Sequence, residues 1–326
     1  MKILLTTTSF QDTPGKHHDL LNGAGFEIVR ARGPLSEAQM LDILAKQGPF
    51  DGLLNGDDQL NAKVIDAFLP QMKVIAKYGI GLDSIDVQHA TSRRVPVLFT
   101  PGVNETTVAE HAIGLMIAVA KHFWFHASSI KKGKWSRQTG RELWSKILGI
   151  VGSGRIAREV VKRCSAFDMK ILAYGNYWEP EFLQKYNVPR VKDLSELFAQ
   201  SDVISLHTNL NENTRGMINK HSLAGMKDGV MIVNTARGAL VVEQDIVDAC
   251  NSGKIHGYGS DVLEYEPVRA PHIFETVDNI IITPHVGSRT YESVQRQGLR
   301  AAANLVNFLN GNSDYIQANK FRFFMF

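Results

Sequence analysis

The sequence predicts an α/β protein built from two doubly wound parallel sheets. Short β-rich apolar runs alternate with amphipathic helical stretches along most of the chain, a pattern typical of consecutive βα units. The alternation stops at Pro101-Gly102 and resumes at Ile147, and a capping box at Thr107–Glu110 predicts a long helix in between that extends to about His126. A chain of 326 residues is long enough for two domains, each with its own core.

The predicted elements follow one another in a regular order. Before residue 100 the β-like runs are KILLTT, FEIVRA, GLLN, KVIAK and PVLF, and helical stretches such as SEAQMLDILAKQ separate them, which predicts a small parallel sheet. A second alternation runs from Ile147 to Thr283. The last helix is predicted from Tyr291 to Leu309, with an apolar face formed by Val294, Leu299, Ala302, Leu305 and Leu309.

The composition argues against several classes of protein. The net charge of +3 is spread along the chain without a basic stripe, so nucleic acid is not an expected partner. The longest apolar stretch, Ala112–Ala120, is too short to cross a bilayer, and MKILLTTTSF is more typical of a first strand than of a signal peptide. The two cysteines, Cys164 and Cys250, fit buried helical residues in a reducing cytosol better than a disulfide or a metal pair. We therefore expect a cytoplasmic protein with no metal site and no membrane contact.

A glycine-rich turn between a strand and a helix predicts a dinucleotide site. The β-rich run that ends at Val151 leads into Gly152-Ser153-Gly154, and Ala157 occupies the third small position. Gly152 permits the tight turn, Gly154 lets the backbone approach a pyrophosphate, and Ala157 lets helix and strand pack closely. The helix predicted from Arg155 to about Phe167 would direct its amide groups and positive dipole end at the phosphates.

One part of the dinucleotide fingerprint is missing. An NAD site usually has an acidic residue about 20 residues further on, at the end of the second strand, where it binds the ribose hydroxyls. Here the strand Met169–Tyr174 is followed by Gly175 and Asn176. No Arg or Lys occurs between Gly175 and Glu179 to bind a 2′-phosphate. NAD is therefore the expected cofactor, and NADP remains possible.

Three residues late in the chain predict the chemistry: Arg237 in VNTARG, Glu266 in DVLEYEP and His285 in TPHVGS. Each follows a predicted strand, and parallel sheets bind ligands at the carboxyl ends of their strands. Arginine can bind a carboxylate with two hydrogen bonds, histidine can exchange a proton near neutral pH, and a glutamate can orient that histidine. The alternative is that each residue is structural, as a helix cap, an ion pair or a turn residue. Their shared position downstream of a nucleotide motif favours catalysis.

Over about residues 50–310 the chain resembles the D-isomer-specific 2-hydroxyacid dehydrogenases, most closely their phosphoglycerate-dehydrogenase-like branch. The matching segments are KYGIGLDSID (77–86), NETTVAEHA (104–112), GIVGSGRIA (149–157), SDVISLHTNLNENTRGMIN (201–219), VNTARGALV (233–241), GYGSDVLEYEP (257–267) and TPHVGS (283–288). The departures are Gly175 in place of the usual acid and Thr208-Asn209 where a proline is common.

The resemblance implies a Rossmann-type cofactor domain, 102–287, inserted in a flavodoxin-like substrate domain formed by 1–101 and 288–326. It implies that Arg237 binds the substrate carboxylate, that His285 is the acid/base and that Glu266 is its partner. The expected cofactor contacts are Gly152, Gly154, Arg155, Ile156, Asn176, His207, Thr208, Thr214, Thr235, Ala236, Asp261 and Gly287. The expected substrate contacts, besides Arg237, are Asn55, Tyr78, Gly79, Ile80 and Gly81.

The expected function is that of an NAD(P)-dependent D-2-hydroxyacid dehydrogenase acting on a small 2-oxo or 2-hydroxy acid. One alternative is D-3-phosphoglycerate dehydrogenase proper, and another is a catalytically weak nucleotide-sensing protein, because some relatives of this fold act as transcriptional co-repressors. The presence of both Arg237 and His285 favours an enzyme.

Three further segments carry expectations about substrate and assembly. The resemblance implies that the aromatic and basic segment 121–135 is an arm that packs against a second subunit, so a homodimer is expected. The aromatic end of the tail, 315–326, is expected to dock on the first domain or on a partner subunit. In LLNGDDQLN, Asn55 stands where phosphoglycerate enzymes carry arginine, and Asp57 and Asp58 would repel a phosphate, which favours a small unphosphorylated acid. The alternative is that the two aspartates cap the helix that begins near Asn61.

Overall fold

A computed structural model describes residues 1–320, and these residues form two compact units. The first unit comprises Met1–Asn104 and the segment from Arg289 onward, and the second comprises Glu105–Ser288. Each unit is an α/β layer structure with a parallel sheet, so the predicted fold class is confirmed.

The first unit is built on a five-stranded parallel sheet within the described residues. Its strands are β1 Lys2–Leu5, β2 Glu27–Arg30, β3 Gly52–Asn55, β4 Val74–Lys77 and β5 Val97–Leu98, and they lie in the order β2-β1-β3-β4-β5. This is the flavodoxin-like order. The helices between them are α1 Thr8–Asp12, α2 Lys16–Gly23, α3 Glu37–Gln47, α4 Ala62–Phe68 and α5 Val87–Ser92. β3 and β4 are buried along their whole length, as expected of central parallel strands that are covered on both faces.

The second unit contains a six-stranded parallel sheet within the described residues. Its strands are β6 Ile147–Val151, β7 Lys170–Tyr174, β8 Val203–Leu206, β9 Val230–Asn234, β10 Ile255–Ser260 and β11 Ile280–Ile282, in the order β11-β10-β9-β8-β6-β7. A single parallel bridge joins Arg190 to Ala173 on the outer side of β7. Once this bridge is included as a rudimentary third strand, the sheet has the usual Rossmann order.

The helices of the second unit cover both faces of its sheet. They are α6 Glu105–Ala120, α7 Phe123–Lys131, α8 Arg155–Cys164, α9 Pro180–Lys185, α10 Leu194–Gln200, α11 Lys220–Ala224 and α12 Glu243–Asn251. Buried apolar residues of α6 and α8 form one core with β6 and β9 residues, and those of α10 and α12 form another on the opposite face. Cys164 and Cys250 are buried in these helices as free thiols.

The predicted long helix between the two sheets is not continuous. It begins at Glu105, so Thr107 lies inside α6 and the predicted capping box is wrong. The helix ends at Ala120, and His122 adopts a left-handed conformation with φ of 52° before α7 starts. A non-glycine residue in that region cannot continue a right-handed helix, so the chain turns here.

The chain returns to the first unit through α13, Tyr291–Leu309, which matches the predicted helix bounds. Val294, Ala302 and Leu305 are buried as expected, whereas Leu299 lies at the flank of the face and Ala301 lies at its centre. Asn304 is buried on the same face, where its amide donates to the carbonyl of Phe99 and its oxygen accepts from the Ile316 amide.

The described part of the tail follows α13 back along the first sheet. Tyr315 packs edge-on against Phe308, and the segment around Ile316–Ala318 pairs with Val97 and Phe99. The four phenylalanines predicted to dock lie in 321–326, outside the described residues.

Candidate active site

The three predicted catalytic residues follow neighbouring strands of the second sheet. Arg237 lies in the turn after β9, Glu266 in the loop after β10 and His285 in the loop after β11. Nδ1 of His285 lies 2.7 Å from Oε2 of Glu266, and the two side chains are 44% and 36% exposed. The other carboxylate oxygen of Glu266 accepts a hydrogen bond from the Leu263 amide at 3.0 Å. Glu266 is therefore anchored on its own loop while it holds the Nδ1 edge of the imidazole ring in place.

His285 is set by an unusual backbone conformation. Its φ is 52°, in the left-handed region that few residues other than glycine, asparagine and aspartate adopt. Its amide donates to the carbonyl oxygens of Asp261 and Thr283, each at 2.9 Å. A strained backbone of this kind persists only where surrounding contacts over-determine it, and such residues cluster at functional sites.

Asp261 organises the loop that carries His285. It is buried, and one carboxylate oxygen accepts from Thr283 Oγ1 at 2.6 Å and from the Val286 amide at 2.9 Å. The other oxygen accepts from the Gly287 amide at 2.7 Å. Burial alone would raise the pKa of Asp261, but hydrogen bonds from His111, Thr283 and Val286 outweigh burial and lower the pKa below its ordinary value. An ionised Asp261 thus accepts hydrogen bonds from three residues of the loop, Thr283, Val286 and Gly287.

Arg237 is fixed by the turn that follows β9. Asn234 is fully buried at the end of that strand; its oxygen accepts from the Ala236 amide at 3.0 Å and its amide donates to the Arg237 carbonyl at 2.9 Å. Nη1 of Arg237 donates to the Ala236 carbonyl at 2.6 Å. The guanidinium is therefore steadied against its own turn.

The Arg237 turn and the Glu266 loop pack in direct contact. A short 3-10 helix, Gly238–Leu240, follows Arg237. A Cβ added at Gly238 would lie 1.9 Å from the carbonyl carbon of Leu263, so only glycine allows this approach. The contact brings the backbone of the Arg237 turn against the residue that hydrogen-bonds Glu266.

The glycine loop has the geometry of a phosphate-binding turn. Gly152 adopts a φ of 115°, and a Cβ there would lie 2.2 Å from the carbonyl oxygen of His207, so the position requires glycine. Gly154 precedes α8, no side chain caps this helix end, and a Cβ at Gly154 would meet nothing within 4 Å among the described residues. The amides of Arg155 and Ile156 lie in the first turn of α8, where helices leave donors unsatisfied. The helix end is open to an anion.

The end of β7 differs from what the sequence predicts in one respect. Gly175 stands where the ribose-binding acid is usual, and a Cβ there would lie 3.0 Å from Ser153 Cβ and 3.1 Å from the backbone of Gly152. Arg190, however, donates Nη2 hydrogen bonds to the carbonyls of Gly175 at 2.8 Å and Asn176 at 3.1 Å. A cation therefore does stand beside this loop, although none occurs in it. The sequence segment 175–179 could not reveal it, because Arg190 arrives through its bridge to Ala173.

In the first unit, the loop after β4 carries the predicted carboxylate-binding backbone. Gly79 has a φ of 131°, its amide donates to Thr100 Oγ1 at 3.0 Å, and its carbonyl accepts from the Thr100 amide at 3.0 Å. Ile80 and Gly81 are half-buried in the same loop. The hydroxyl of Tyr78 is buried without a hydrogen-bond partner within residues 1–320, and burial raises its pKa.

The loop after β3 shows what the acidic pair does. Lys77 is buried, and its ammonium donates to Asp57 at 2.6 Å and to the Gly56 carbonyl. Asp58 is fully buried and accepts from Thr6, from the Leu35 amide at 2.8 Å and from the Gly56 amide at 3.2 Å. Burial raises the pKa of Asp58 despite these hydrogen bonds.

These contacts contradict one of the two predictions for the loop. The cap of α4 is Asn61, whose side chain accepts from the Val64 amide at 3.0 Å, so the helix-cap prediction for Asp57 and Asp58 is wrong. Asn55 is fully buried at the end of β3; its amide donates to the Gly56 carbonyl at 3.0 Å, and its Oδ1 has no partner within residues 1–320.

Comparison with known proteins identifies the family. Residues 113–287 match the family model described as "D-isomer specific 2-hydroxyacid dehydrogenase, NAD binding domain". The chain is 44% identical over 247 residues to hydroxypyruvate reductase of Thermotoga maritima. The alignment covers 74% of this chain and 78% of that protein. The chain belongs to the D-isomer specific 2-hydroxyacid dehydrogenase family.

Two further matches carry the names of other enzymes of this family. The chain is 36% identical over 316 residues to D-3-phosphoglycerate dehydrogenase of Archaeoglobus fulgidus. That alignment covers 94% of this chain but only 59% of that protein. A crystal structure of a glyoxylate reductase from Paecilomyes thermophila aligns with a TM-score of 0.84 at 31% identity and covers 98% of both chains. The dehydrogenase is an oxidoreductase of the CH–OH group, and NAD is the cofactor of its matched domain.

The residues of the dehydrogenase's second unit fit that cofactor. Besides the open end of α8, Nδ1 of His207 and Oγ1 of Thr235 are buried and have no hydrogen-bond partner within residues 1–320. The two residues follow the neighbouring strands β8 and β9. Burial lowers the pKa of His207 to about 4, so its ring is neutral at pH 7. Unpartnered polar groups inside a protein call for a ligand or water, and a dinucleotide supplies both donors and acceptors.

The other predicted cofactor contacts differ in their burial and in their hydrogen bonds. Thr208 and Asn176 lie at strand ends, half-buried and exposed respectively. The hydroxyl of Thr214 donates to the Asn209 carbonyl at 2.7 Å and accepts from the Asn211 amide, so it closes its own loop. Sequence reasoning did not single out three residues that shape the site: His111, Asn234 and Thr283. All three lie inside the matching segments, which was the available signal.

No helix within residues 1–320 is long and apolar enough to span a membrane. Over the same residues, no group of three or more His, Cys, Asp or Glu side chains is arranged to hold a metal ion.

Proposed function

We propose that this dehydrogenase reduces a small unphosphorylated 2-oxo acid, such as glyoxylate or hydroxypyruvate, to the D-2-hydroxy acid. The observation that carries the proposal is the His285–Glu266 pair, 2.7 Å apart at the strand ends that follow the glycine loop in the same sheet. The nicotinamide cofactor, when bound, would supply the hydride as NADH in reduction and would accept it as NAD⁺ in oxidation.

His285 is the proposed acid/base. With Glu266 on Nδ1, the ring keeps its proton there and presents Nε2 for exchange with the substrate oxygen. In reduction, the imidazolium gives its Nε2 proton to the C2 oxygen as hydride reaches C2, and it is left neutral. In oxidation, the neutral ring removes the hydroxyl proton. The Glu266 carboxylate stabilises the positive charge that the ring carries when both of its nitrogens are protonated.

Arg237 is the proposed anchor for the substrate carboxylate. A guanidinium can form two parallel hydrogen bonds to a carboxylate, and this fixes the orientation of C2 as well as the position of the acid. The charge also stabilises the negative charge that grows on the C2 oxygen during hydride addition. The Asn234 hydrogen bonds hold the Arg237 turn before substrate arrives, so little reorganisation is needed. In the first unit, the Gly79–Gly81 backbone is proposed as a substrate-binding segment, as the resemblance implies.

Charge around β3 and β4 supports an unphosphorylated substrate. Lys77 is the basic residue of this loop region, and its ammonium is already paired with Asp57 at 2.6 Å. Where phosphoglycerate enzymes, by resemblance, use arginine, this chain has the uncharged Asn55, whose amide already donates to the Gly56 carbonyl. A dianionic phosphate here would have to displace Asp57 from Lys77, which leaves that carboxylate unpaired, or it would face a lysine whose charge is already offset. A hydroxymethyl group or a hydrogen at the same place costs neither.

D-3-phosphoglycerate dehydrogenase activity is the second candidate, because the relative from Archaeoglobus fulgidus matches 94% of this chain. Comparing kcat/KM for hydroxypyruvate and 3-phosphohydroxypyruvate with NADH decides between them. We expect hydroxypyruvate to be the better substrate. A clear advantage of the phosphorylated acid would overturn the proposal and would point to Lys77 as a phosphate ligand.

For the domains we propose 102–287 as the cofactor domain and 1–101 with 288–326 as the substrate domain. For assembly we propose a homodimer formed through the segment 121–135. Its supporting observation is that Phe123, Trp124, Ile130 and Trp135 are all more than half exposed. Large apolar side chains exposed together on one short segment are typical of an interface.

A further inference from the structure

We propose that Glu243 is a positioning residue, which ties both ends of the segment 264–272 and so holds Glu266 against His285. This role rests on the proposed functions of Glu266 and His285, and it adds a residue that acts through Glu266. Glu243 is the first residue of α12, in the same unit as the loop that follows β10. The contacts of its carboxylate, the exposure of the segment and the packing of α12 support the role.

The Glu243 carboxylate contacts the loop after β10 at two points. Its Oε1 accepts a hydrogen bond from the Glu264 amide at 2.9 Å, and its Oε2 lies 3.4 Å from Nε2 of His272. Glu266 lies between these two points in the sequence. One carboxylate therefore closes the segment 264–272 into a loop that contains the partner of His285.

The segment depends on such ties because it buries little of itself. Residues 264–271 are all exposed, so apolar burial contributes little to holding them in one conformation. The far end is fixed at His272, whose Nδ1 accepts from the amide of the buried Phe274 at 3.3 Å. A ring nitrogen that accepts a hydrogen bond carries no proton, so the Nε2–H of His272 faces Glu243. The contact thus needs no positive charge on the ring.

Glu243 itself stands on a well-packed part of the second unit. The amide of the preceding residue, Val242, donates to the Ile218 carbonyl at 2.8 Å. Ile246 and Val247, which follow in α12, are buried in the core. The Glu243 side chain is 15% exposed, so water competes little for its contacts. A carboxylate held in this way can fix the position of an exposed loop.

Without these ties the Glu266 carboxylate should leave Nδ1 of His285, from which it lies 2.7 Å away. That carboxylate stabilises the ring when both nitrogens are protonated, and reduction needs the protonated ring as its acid. The acid is lost as the pH rises, and it is lost at a lower pH when no carboxylate faces Nδ1. Loss of Glu243 should therefore lower kcat for reduction and move its decline to lower pH, as loss of Glu266 should.

Steady-state reduction of the best 2-oxo acid over a range of pH tests this role. Methionine and glutamine match glutamate in length and both favour helices, but only glutamine keeps an oxygen for the Glu264 amide. Glu243→Met should lower kcat by about tenfold, the scale of one charge-assisted hydrogen bond, and leave KM for NADH within about twofold. Its kcat should decline at lower pH than that of the wild type, in the same direction as in Glu266→Gln. Glu243→Gln should recover most of the loss.

Asp245→Asn is the matched control. Asp245 lies in the same first turn of α12 and accepts from the Lys220 amide at 2.7 Å, outside the proposed site. Its replacement should change neither kcat nor the pH dependence. An equal effect in Asp245→Asn would overturn the proposal, because a negative charge at the start of α12 would then suffice. So would a fall of kcat in Glu243→Met without the shift to lower pH, because general loosening of the loop would explain it.

The reference variant Glu266→Gln separates this role from the proposed function. Wild-type behaviour of Glu243→Met beside an impaired Glu266→Gln would overturn the role of Glu243 alone. An unimpaired Glu266→Gln would refute the proposed function of Glu266 and the role of Glu243 with it. If Glu243→Met does not fold, His272→Asn decides, because asparagine can still accept from the Phe274 amide and only the contact with Glu243 is lost. The same shift to lower pH would support the role, and a wild-type pH dependence would overturn it.

Discussion

Replacing His285 by Asn removes the proposed proton donor without disturbing the fold. Asparagine is the substitution of choice because His285 has a φ of 52°, and asparagine tolerates the left-handed region better than other side chains with a Cβ. Turnover on the best 2-oxo acid should fall by roughly 10²–10⁴-fold, the usual scale of general acid–base catalysis, or about 3–5 kcal/mol in activation free energy.

The effect of this substitution on stability should be small. His285 and Glu266 are 44% and 36% exposed, so losing their ion pair should cost no more than about 1 kcal/mol in the free energy of unfolding. The hydrogen bonds that hold the loop come from the backbone amides of residues 285–287 and from Thr283, and these remain in the variant. NADH affinity, measured by fluorescence, should change little.

Steady-state kinetics with the wild type, His285→Asn and His89→Asn make the comparison. His89 is the matched control because it also pairs with a carboxylate, Asp66, at 2.8 Å, but in the first unit and outside the proposed site. His89→Asn should retain wild-type turnover. Near-normal turnover in His285→Asn, with its NADH affinity and melting temperature intact, would refute the proposed role of His285.

Three other outcomes are expected. Gly175→Asp should shift cofactor preference toward NAD, since a carboxylate there binds the ribose hydroxyls and repels a 2′-phosphate. Gly175→Ala is the control, because it reports the effect of crowding against Ser153 alone. A shift toward NADP, or the same change in both variants, would contradict this prediction. Asp261→Asn should lower the free energy of unfolding by about 1–3 kcal/mol at pH 7. Because the pKa of Asp261 is lower in the folded state, its ionised form stabilises the fold above the unfolded pKa of about 4, and this stabilisation is lost as the pH falls further. The difference in unfolding free energy between wild type and variant, measured by urea unfolding, should therefore become smaller toward pH 3. A difference that does not change with pH would argue against an ionised Asp261. Sedimentation at micromolar concentration should show a dimer that Trp124→Glu weakens, and a wild-type monomer would exclude the proposed interface.

Features that depend on local pattern were predictable. The alternation of strands and helices, the glycine turn before α8 and the positions of Arg237, Glu266 and His285 after strands all follow from short segments. Once the sheet is parallel, residues that follow neighbouring strands lie at the same edge, so a pattern read along the chain becomes a site. Local pattern failed at α6, where residues 107–110 resemble a cap but the helix had already begun at Glu105.

What the sequence by itself determined is the fold class, the family and the residue types of the candidate site, because hydrophobic period, glycine conformation and strand ends are properties of neighbouring residues. The tertiary structure alone decided which distant side chains share a charge or a hydrogen bond. Lys77 and Asp57 are 20 residues apart, Arg190 and Gly175 are 15 apart, and Asp261 and Gly287 are 26 apart. Each contact exists because strand register and loop packing bring two backbones within hydrogen-bond reach, and no periodicity along the chain encodes that distance.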